Sequence, residues 1–331
     1  RIPSRYRPGA GRGPMKLSAA RPPEQRGAAM IRTKSGAAGL SVASNSLLIA
    51  LKVAVGAITG SIAILTEAVH SLIDLLASVI ALASVRKADE PADVEHPYGH
   101  EKLENLAAAI EGMLILVGAA VIVYEATHRL VVGAHVDTLG LGIAVMAVSA
   151  LANFAISGFL GRQAKRFESP ALEGDAAHLR TDAFTSIGVL VGLVLVEVTG
   201  ESAFDSIAAL AVAVAIVGSG LRIITRSSRV LVDEALPPDE MDRIEAAIAA
   251  ARPPEVAGYH KLRARRAGNR RYVDLHVQFR SGTSLELAHE LAHAMRAAIE
   301  AELPAADVLI HVEPEDSVLA PGESPGPFRV G

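Results

Sequence analysis

Residues 62–84 read IAILTEAVHSLIDLLASVIALAS. A helix crosses a bilayer with about 20 apolar residues, and this run is long enough. Yet it carries His70 and Asp74 in its middle. At i, i+4 both side chains share one helical face, about 5–6 Å apart at Cβ. A second apolar run, residues 174–198, repeats the pattern with His178 and Asp182. Ionisable groups at the centre of a bilayer cost roughly 2.5–3.5 kcal/mol each on insertion scales, so each pair needs a partner or a function. The bland alternative is that Asp74 and Asp182 answer a buried cation such as Lys52 while the histidines fill polar gaps. Two His-x-x-x-Asp pairs, each centred in a span, argue against coincidence. Facing each other, the helices offer two imidazoles and two carboxylates, a tetrahedral set suited to Zn²⁺. Mg²⁺ or Ca²⁺ would want more oxygens, whereas Co²⁺ and Cd²⁺ also fit. Ligating His must be neutral and Asp ionised, so metal and protons compete for these atoms.

Composition agrees with a membrane protein that carries a polar part. Half of the 331 residues are apolar and mean hydropathy is +0.34. A net charge of −4 gives no reason to expect nucleic acid. There is no cysteine, which excludes disulfides and thiolate metal sites and leaves His and carboxylates as ligands.

Six apolar segments are expected near 38–59, 62–84, 103–127, 136–160, 174–198 and 204–226, forming an all-α membrane bundle over 37–232. Residues 1–36, rich in Arg, Pro and Gly, read as a disordered basic tail without a signal-peptide pattern. Gly60-Ser61 predicts a tight hairpin, and Ser202 with Asp205 a capping box for the sixth helix. Basic residues gather in the tail, in the 85–102 loop (Arg86, Lys87, Lys102), in the 161–173 loop (Arg162, Lys165, Arg166) and after the sixth span (Arg222, Arg226, Arg229). The positive-inside rule then places both termini in the cytoplasm. Asn45, Lys52, Glu67 and Glu111 stand as supporting or helix-packing residues in the spans.

From Pro237 the pattern changes. Residues 239–251 and 284–302 read as amphipathic helices, and 256–266, 271–280 and 306–313 as strands. The αββαβ order over 233–314 predicts a small cytoplasmic α+β domain, ferredoxin-like, with helices on one face of a sheet. Residues 315–331 are Pro/Gly-rich and read as a disordered tail. His276 alternates away from Val277 and Phe279, and His311 and Glu313 share a face. His260 opens another strand and His289 lies on a helix, so these five suggest a composite metal site. His293, His128 and His135 read as non-ligands. In the loop, PADVEHPYGHEKLEN (residues 91–105) places Asp93, His96 and His100 where they converge if a turn brings them together.

This layout, from about residue 38 to 314, resembles the cation diffusion facilitator family. The resemblance implies export of divalent metal from the cytoplasm, commonly against protons, by a homodimer without covalent catalysis. It implies that His70, Asp74, His178 and Asp182 are the transport ligands, a set similar to the zinc-preferring type. Residues 91–105 resemble the family's signature loop, where Asp93, His96 and His100 match a second metal site. Lys102 and Asp233 match an inter-subunit charge lock. His260, His276, His289, His311 and Glu313 match regulatory ligands of a metallochaperone-like dimerisation domain, with Glu313 where one branch carries Asp. The expected activity is Zn²⁺ export by proton antiport. Its alternatives are Fe²⁺, Co²⁺ or Cd²⁺ on the same fold, or a membrane-anchored metal sensor that transports nothing. An intramembrane metalloenzyme is disfavoured, because no His-Glu-x-x-His pairing is present. Short loops and a fourth-to-fifth connection without a His-rich insert point to a bacterial inner membrane.

Overall fold

The computed structural model describes residues 33–59, 62–132, 140–199 and 203–316. Several expectations lie outside these residues: most of the N-terminal tail, the Gly60-Ser61 turn, His135, the Ser202 cap, the end of the C-terminal tail, and the side chains of Glu67 and His70.

Six long helices come first: α1 (Lys34–Thr59), α2 (Ile62–Ala88), α3 (Lys102–Val132), α4 (Gly140–Phe167), α5 (Pro170–Thr199) and α6 (Ala203–Leu231). Each has 26 to 31 residues, so at about 1.5 Å rise per residue every one is long enough to cross ~30 Å of hydrocarbon. Among the described residues, stretches of α1, α3 and α6 are also apolar enough by composition alone. The bundle is inside-out relative to a water-soluble core. Ser41, Asn45, Lys52, Asp74, Ser78, Glu111, Asp175 and His178 are buried, while Leu47, Ile58, Val69, Leu72, Leu151 and Val214 face outward. Water would drive those apolar side chains inward; a lipid surround removes that drive and leaves polar groups to seek one another.

Helix ends depart from expectation. The predicted 161–173 loop is only two residues, Glu168 and Ser169, because α4 continues through Arg162, Lys165 and Arg166. Arg and Lys are good helix formers, and past the bilayer nothing ends the helix. The Ser169 hydroxyl accepts from Leu172 N at 3.3 Å and starts α5 again. Likewise α2 runs on to Ala88, and α1 begins at Lys34, inside the expected tail.

Glycine sets the closest helix crossing. A Cβ added at Gly112 on α3 would lie 3.2 Å from Gly220 O, and one at Gly220 on α6 3.1 Å from Gly112 O. The two backbones meet where neither has a side chain.

The second domain is α7 (Pro238–Ala251), β1 (Val256–Ala267), β2 (Arg270–Phe279), α8 (Leu285–Glu302) and β3 (Ala306–Pro314). The sheet order is β1-β2-β3, with β1 and β2 antiparallel and β2 and β3 parallel across α8. Val273, Leu275, Val277 and Phe279 pack with Ile244, Ile248, Met295 and Ile299 in one core. Alternation therefore leaves Asp274, His276 and Gln278 on the other face.

The β1–β2 hairpin docks on the bundle. Gly268, at φ +54°, donates its N–H to Asn105 Oδ1 at 3.0 Å. The Tyr272 hydroxyl donates to Tyr98 O at 2.6 Å. Arg271 bridges Glu168 of the α4–α5 connection and Glu240 of α7, each at 2.9 Å. Burial pushes the Glu240 carboxyl up, but Arg271 and Arg266 outweigh it and hold it below the ordinary glutamate value. A depressed folded value means the contribution is complete above the unfolded value and is lost as pH falls through the folded one. Glu240→Gln is therefore expected to unfold more easily at neutral pH and to lose part of the acid-side decline in midpoint. An acid limb identical to wild type in thermal unfolding scans would contradict this.

Candidate metal centres

The first cluster lies between α2 and α5. His178 and Asp182 are one turn apart on α5, and Asp74 meets them from α2. His178 Nε2 is 3.3 Å from Asp74 Oδ1 and 3.9 Å from Asp182 Oδ2. One ligand atom from each residue lies within 4.8 Å of the others. Asp74 and His178 are buried and Asp182 nearly so. His70 stands one turn before Asp74 on α2. A single imidazole between two carboxylates in a dry interior is a cation-seeking arrangement.

A layer of residues supports this cluster. Asn45 Nδ2 donates to Ser78 Oγ at 2.8 Å and lies 3.4 Å from Asp74 O. Ser78 Oγ donates to Asp175 Oδ1 at 2.9 Å and sits 2.9 Å from Ser41 Oγ. Lys52 Nζ donates to Ser71 Oγ at 2.7 Å. Sequence reasoning named Asn45 and Lys52 but missed Ser41, Ser78 and Asp175. Asp175 had a signal: it precedes His178 by three residues and Asp182 by seven, all on one helical face.

The second cluster is in the loop before α3. Asp93 Oδ1 accepts from the N–H groups of Glu95 and His96 at 2.9 and 2.6 Å, closing the turn the sequence required. Gly99, at φ +89°, reverses the chain so that His100 returns toward Asp93. Asp93 then lies 3.3 Å from His96 Nδ1 through one oxygen and 3.3 Å from His100 Nε2 through the other. The backbone hydrogen bond from His96 is the main reason the Asp93 carboxyl is held below its ordinary value. That keeps it ionised and ready for a cation. His100 is buried; Asp93 and His96 are exposed.

The third cluster crosses the helix-free face of the sheet. Strand register puts His260 opposite His276 and His276 opposite His311. Glu313 reaches along this row. Its carboxylate is 2.9 Å from His260 Nε2, 2.6 Å from His276 Nδ1 and 3.5 Å from His311 Nε2. Burial raises this carboxyl, but hydrogen bonds with His260 and His276 more than offset it and hold it down. His289 is not brought to the row within this chain. Ala288, Ala292, Met295 and Ile299 form the buried stripe of α8, so His289 points out and meets His293 edge to face, with ring centroids 4.4 Å apart.

Lys102 Nζ meets Asp233 Oδ1 at 2.7 Å within the one chain, where a contact between subunits had been expected. Arg265 joins at 3.1 Å. The hydrogen bond from Lys102 is the main cause of the lowered Asp233 value.

Two family descriptions match. Residues 39–232 match the cation efflux transmembrane domain, and residues 236–315 the cytoplasmic domain of cation efflux proteins. An uncharacterised transporter of Synechocystis sp. is 33% identical over 277 residues, covering 83% of this chain and 88% of that protein. The cation-efflux pump FieF of Klebsiella pneumoniae is 32% identical over 289 residues, covering 87% and 95%. Among solved structures, the zinc form of CzrB, described as a zinc transporter, is 35% identical, with 27% of this chain and 99% of that one covered and a TM-score of 0.25. The metal-bound C-terminal domain of the CzcD transporter from Thermotoga maritima is 30% identical, with 24% and 93% covered and a TM-score of 0.23. The chain belongs to the cation diffusion facilitator family. It is an integral membrane protein that exports divalent cations, and its family is one of transporters rather than enzymes.

Glu313 touches all three imidazoles of the sheet cluster. Glu313→Ala is expected to weaken zinc binding there by about tenfold or more, in line with the loss of a charged ligand or its support. Isothermal titration of the full chain checks this, and unchanged affinity would contradict it.

Proposed function

We propose that this protein exports Zn²⁺ from the cytoplasm in exchange for protons, using His70, Asp74, His178 and Asp182 as transport ligands. The observation that carries the reading is the buried Asp74–His178–Asp182 cluster, with 3.3 Å between the α5 imidazole and the α2 carboxylate. Two imidazoles and two carboxylates make a tetrahedral nitrogen–oxygen set, the common choice of Zn²⁺.

In this mechanism the cation binds from the cytoplasmic side, and the neutral imidazoles and ionised carboxylates replace its water. α2 and α5 then shift together with their cargo so that the site faces outward. Protonation of the same ligands there weakens their hold and releases the ion. The protons return as the site turns back.

The protein works as a homodimer in a bacterial inner membrane with both termini in the cytoplasm. Zinc in the row His260, His276, His311 and Glu313, with His289 contributed across the dimer, tightens the second domain and biases the rearrangement. Asp93, His96 and His100 bind a further cation at the membrane surface. Lys102 and Asp233 brace the junction between the bundle and the second domain.

Proteoliposomes with an imposed pH gradient test this. Wild type is expected to accumulate zinc along the gradient, and Asp74→Ala to lower that flux by about tenfold or more. Competition with Fe²⁺, Co²⁺ and Cd²⁺ in the same vesicles ranks the cargo. Zinc binding without flux in wild type would favour a sensor, and flux that survives Asp74→Ala would mean the ligands lie elsewhere.

A further inference from the structure

Next to the metal ligands lies a pair of carboxyl groups, Glu111 and Asp175, that are not themselves among the proposed metal ligands. Glu111 on α3 is completely buried, and neither of its oxygens has a hydrogen-bond partner among the described residues. Asp175 on α5 is also completely buried, and its Oδ2 likewise lacks a partner. The helices are close here because residue 174 is glycine. A Cβ at Gly174 would collide with Glu111 Oε2 and lie 3.2 Å from Ala108 Cα. Glu111 is thus held against the backbone beside Asp175, and the two carboxyls feel each other's charge.

Of the charged and titratable groups on the surrounding helices, His178 acts on Asp175 through its charge and the others have ion-pair or hydrogen-bond partners of their own. His178 follows Asp175 on α5 and faces Asp74 of α2. On α3, Glu104 binds Lys34 of α1 and the Ser169 hydroxyl. On the α6 side, Arg226 is held by Glu173 at 2.6 Å. α1 and α2 offer only the hydroxyls of Ser41 and Ser78 to Asp175. Among the described residues, no Lys or Arg forms an ion pair with either carboxyl. Glu111 has neither donor nor ion-pair partner, and Asp175 has hydroxyl donors on one side of its carboxyl alone, so two ionised carboxylates side by side in this buried place are strongly unfavourable and one shared proton relieves them. A divalent cation is a poor alternative occupant, because hard cations want six or more oxygens and no imidazole joins this pair.

We propose that Glu111 and Asp175 form a proton-binding site separate from the metal ligands. It holds one proton in the metal-free bundle and releases it when a cation occupies the ligands one helical turn away. The step is a simple dissociation, carboxylic acid to carboxylate, with the proton passing to water on the side to which the bundle opens. The incoming dication compensates the new negative charge across a short, poorly screened distance. The hydrogen bonds from Asn45 to Ser78 and from Ser78 to Asp175 link the two sites. As a part of proton exchange, the site rests on the antiport reading above.

The test uses full-length protein in which Asp93, His96, His260, His276 and Glu313 are all replaced by Ala, so that zinc reports on the membrane ligands. Protons released per zinc bound are counted in weak buffer, and infrared difference spectra follow the carboxylic-acid C=O stretch. Glu111→Gln is expected to bind zinc at unchanged stoichiometry, to release about one proton fewer per zinc, and to lose an acid C=O band that disappears on zinc binding in the parent; Asp175→Asn, whose side chain also supports the ligand layer, is expected to show the same loss of proton and band per zinc that it does bind. Asp175→Asn serves if Glu111→Gln does not fold. Proton counts and C=O bands equal to the parent's in the folded variants would overturn the proposal. A parent that releases no protons at all would instead overturn antiport, and the metal-free C=O band would then decide alone whether the pair holds a proton.

Discussion

The 3.3 Å approach of His178 on α5 to Asp74 on α2 is the contact on which the bundle turns. It brings an imidazole and carboxylates together in the interior of the bundle. Water could screen such a cluster; hydrocarbon cannot. The neighbouring helices meet the difficulty with a layer of small polar side chains. Ser41 and Asn45 of α1, Ser78 of α2 and Asp175 of α5 bind one another around the ligands. Apolar side chains such as Leu47, Leu72, Leu151 and Val214 face outward, while others such as Leu160, Leu172 and Leu179 are buried between the helices. The result is a bundle held by polar contacts and close backbone crossings, such as Gly112 against Gly220, in which a cation completes the charge balance. The apolar cluster of Leu160, Leu172 and Leu179 packs beside this polar layer.

The second domain is built by the opposite rule. Its helices bury an apolar core against one face of the sheet, and its histidines stand in a row on the other. The β1–β2 hairpin joins the two. One end of the hairpin carries His260 and His276. The other lies against Asn105 and, through Arg271, against the connection between α4 and α5.

Much of this was legible in the sequence. Two His-x-x-x-Asp pairs inside apolar runs announce both the helices and the faces that must meet, because a charged pair in a span has few places to go. Strand alternation around His276, His311 and Glu313 announces the row on the sheet. Helix ends were less legible. α4 runs on through Arg162, Lys165 and Arg166, since those residues favour helix whether or not lipid surrounds them. Asp175 was hidden because it sits at the edge of an apolar run, where an acid reads as the end of a span. His289 stands apart: the buried stripe of α8 turns it outward from its own chain's histidine row.

The central claim is that residues on α2 and α5 hold the transported cation in a tetrahedral set of two imidazoles and two carboxylates. X-ray absorption at the zinc edge measures this most directly, on full-length protein in which Asp93, His96, His260, His276 and Glu313 are replaced by Ala so that the membrane ligands hold the zinc. The account predicts four light-atom neighbours at about 2.0–2.1 Å, with the outer-shell scattering of two imidazole rings. A six-coordinate oxygen shell, or a spectrum without imidazole scattering, would contradict it.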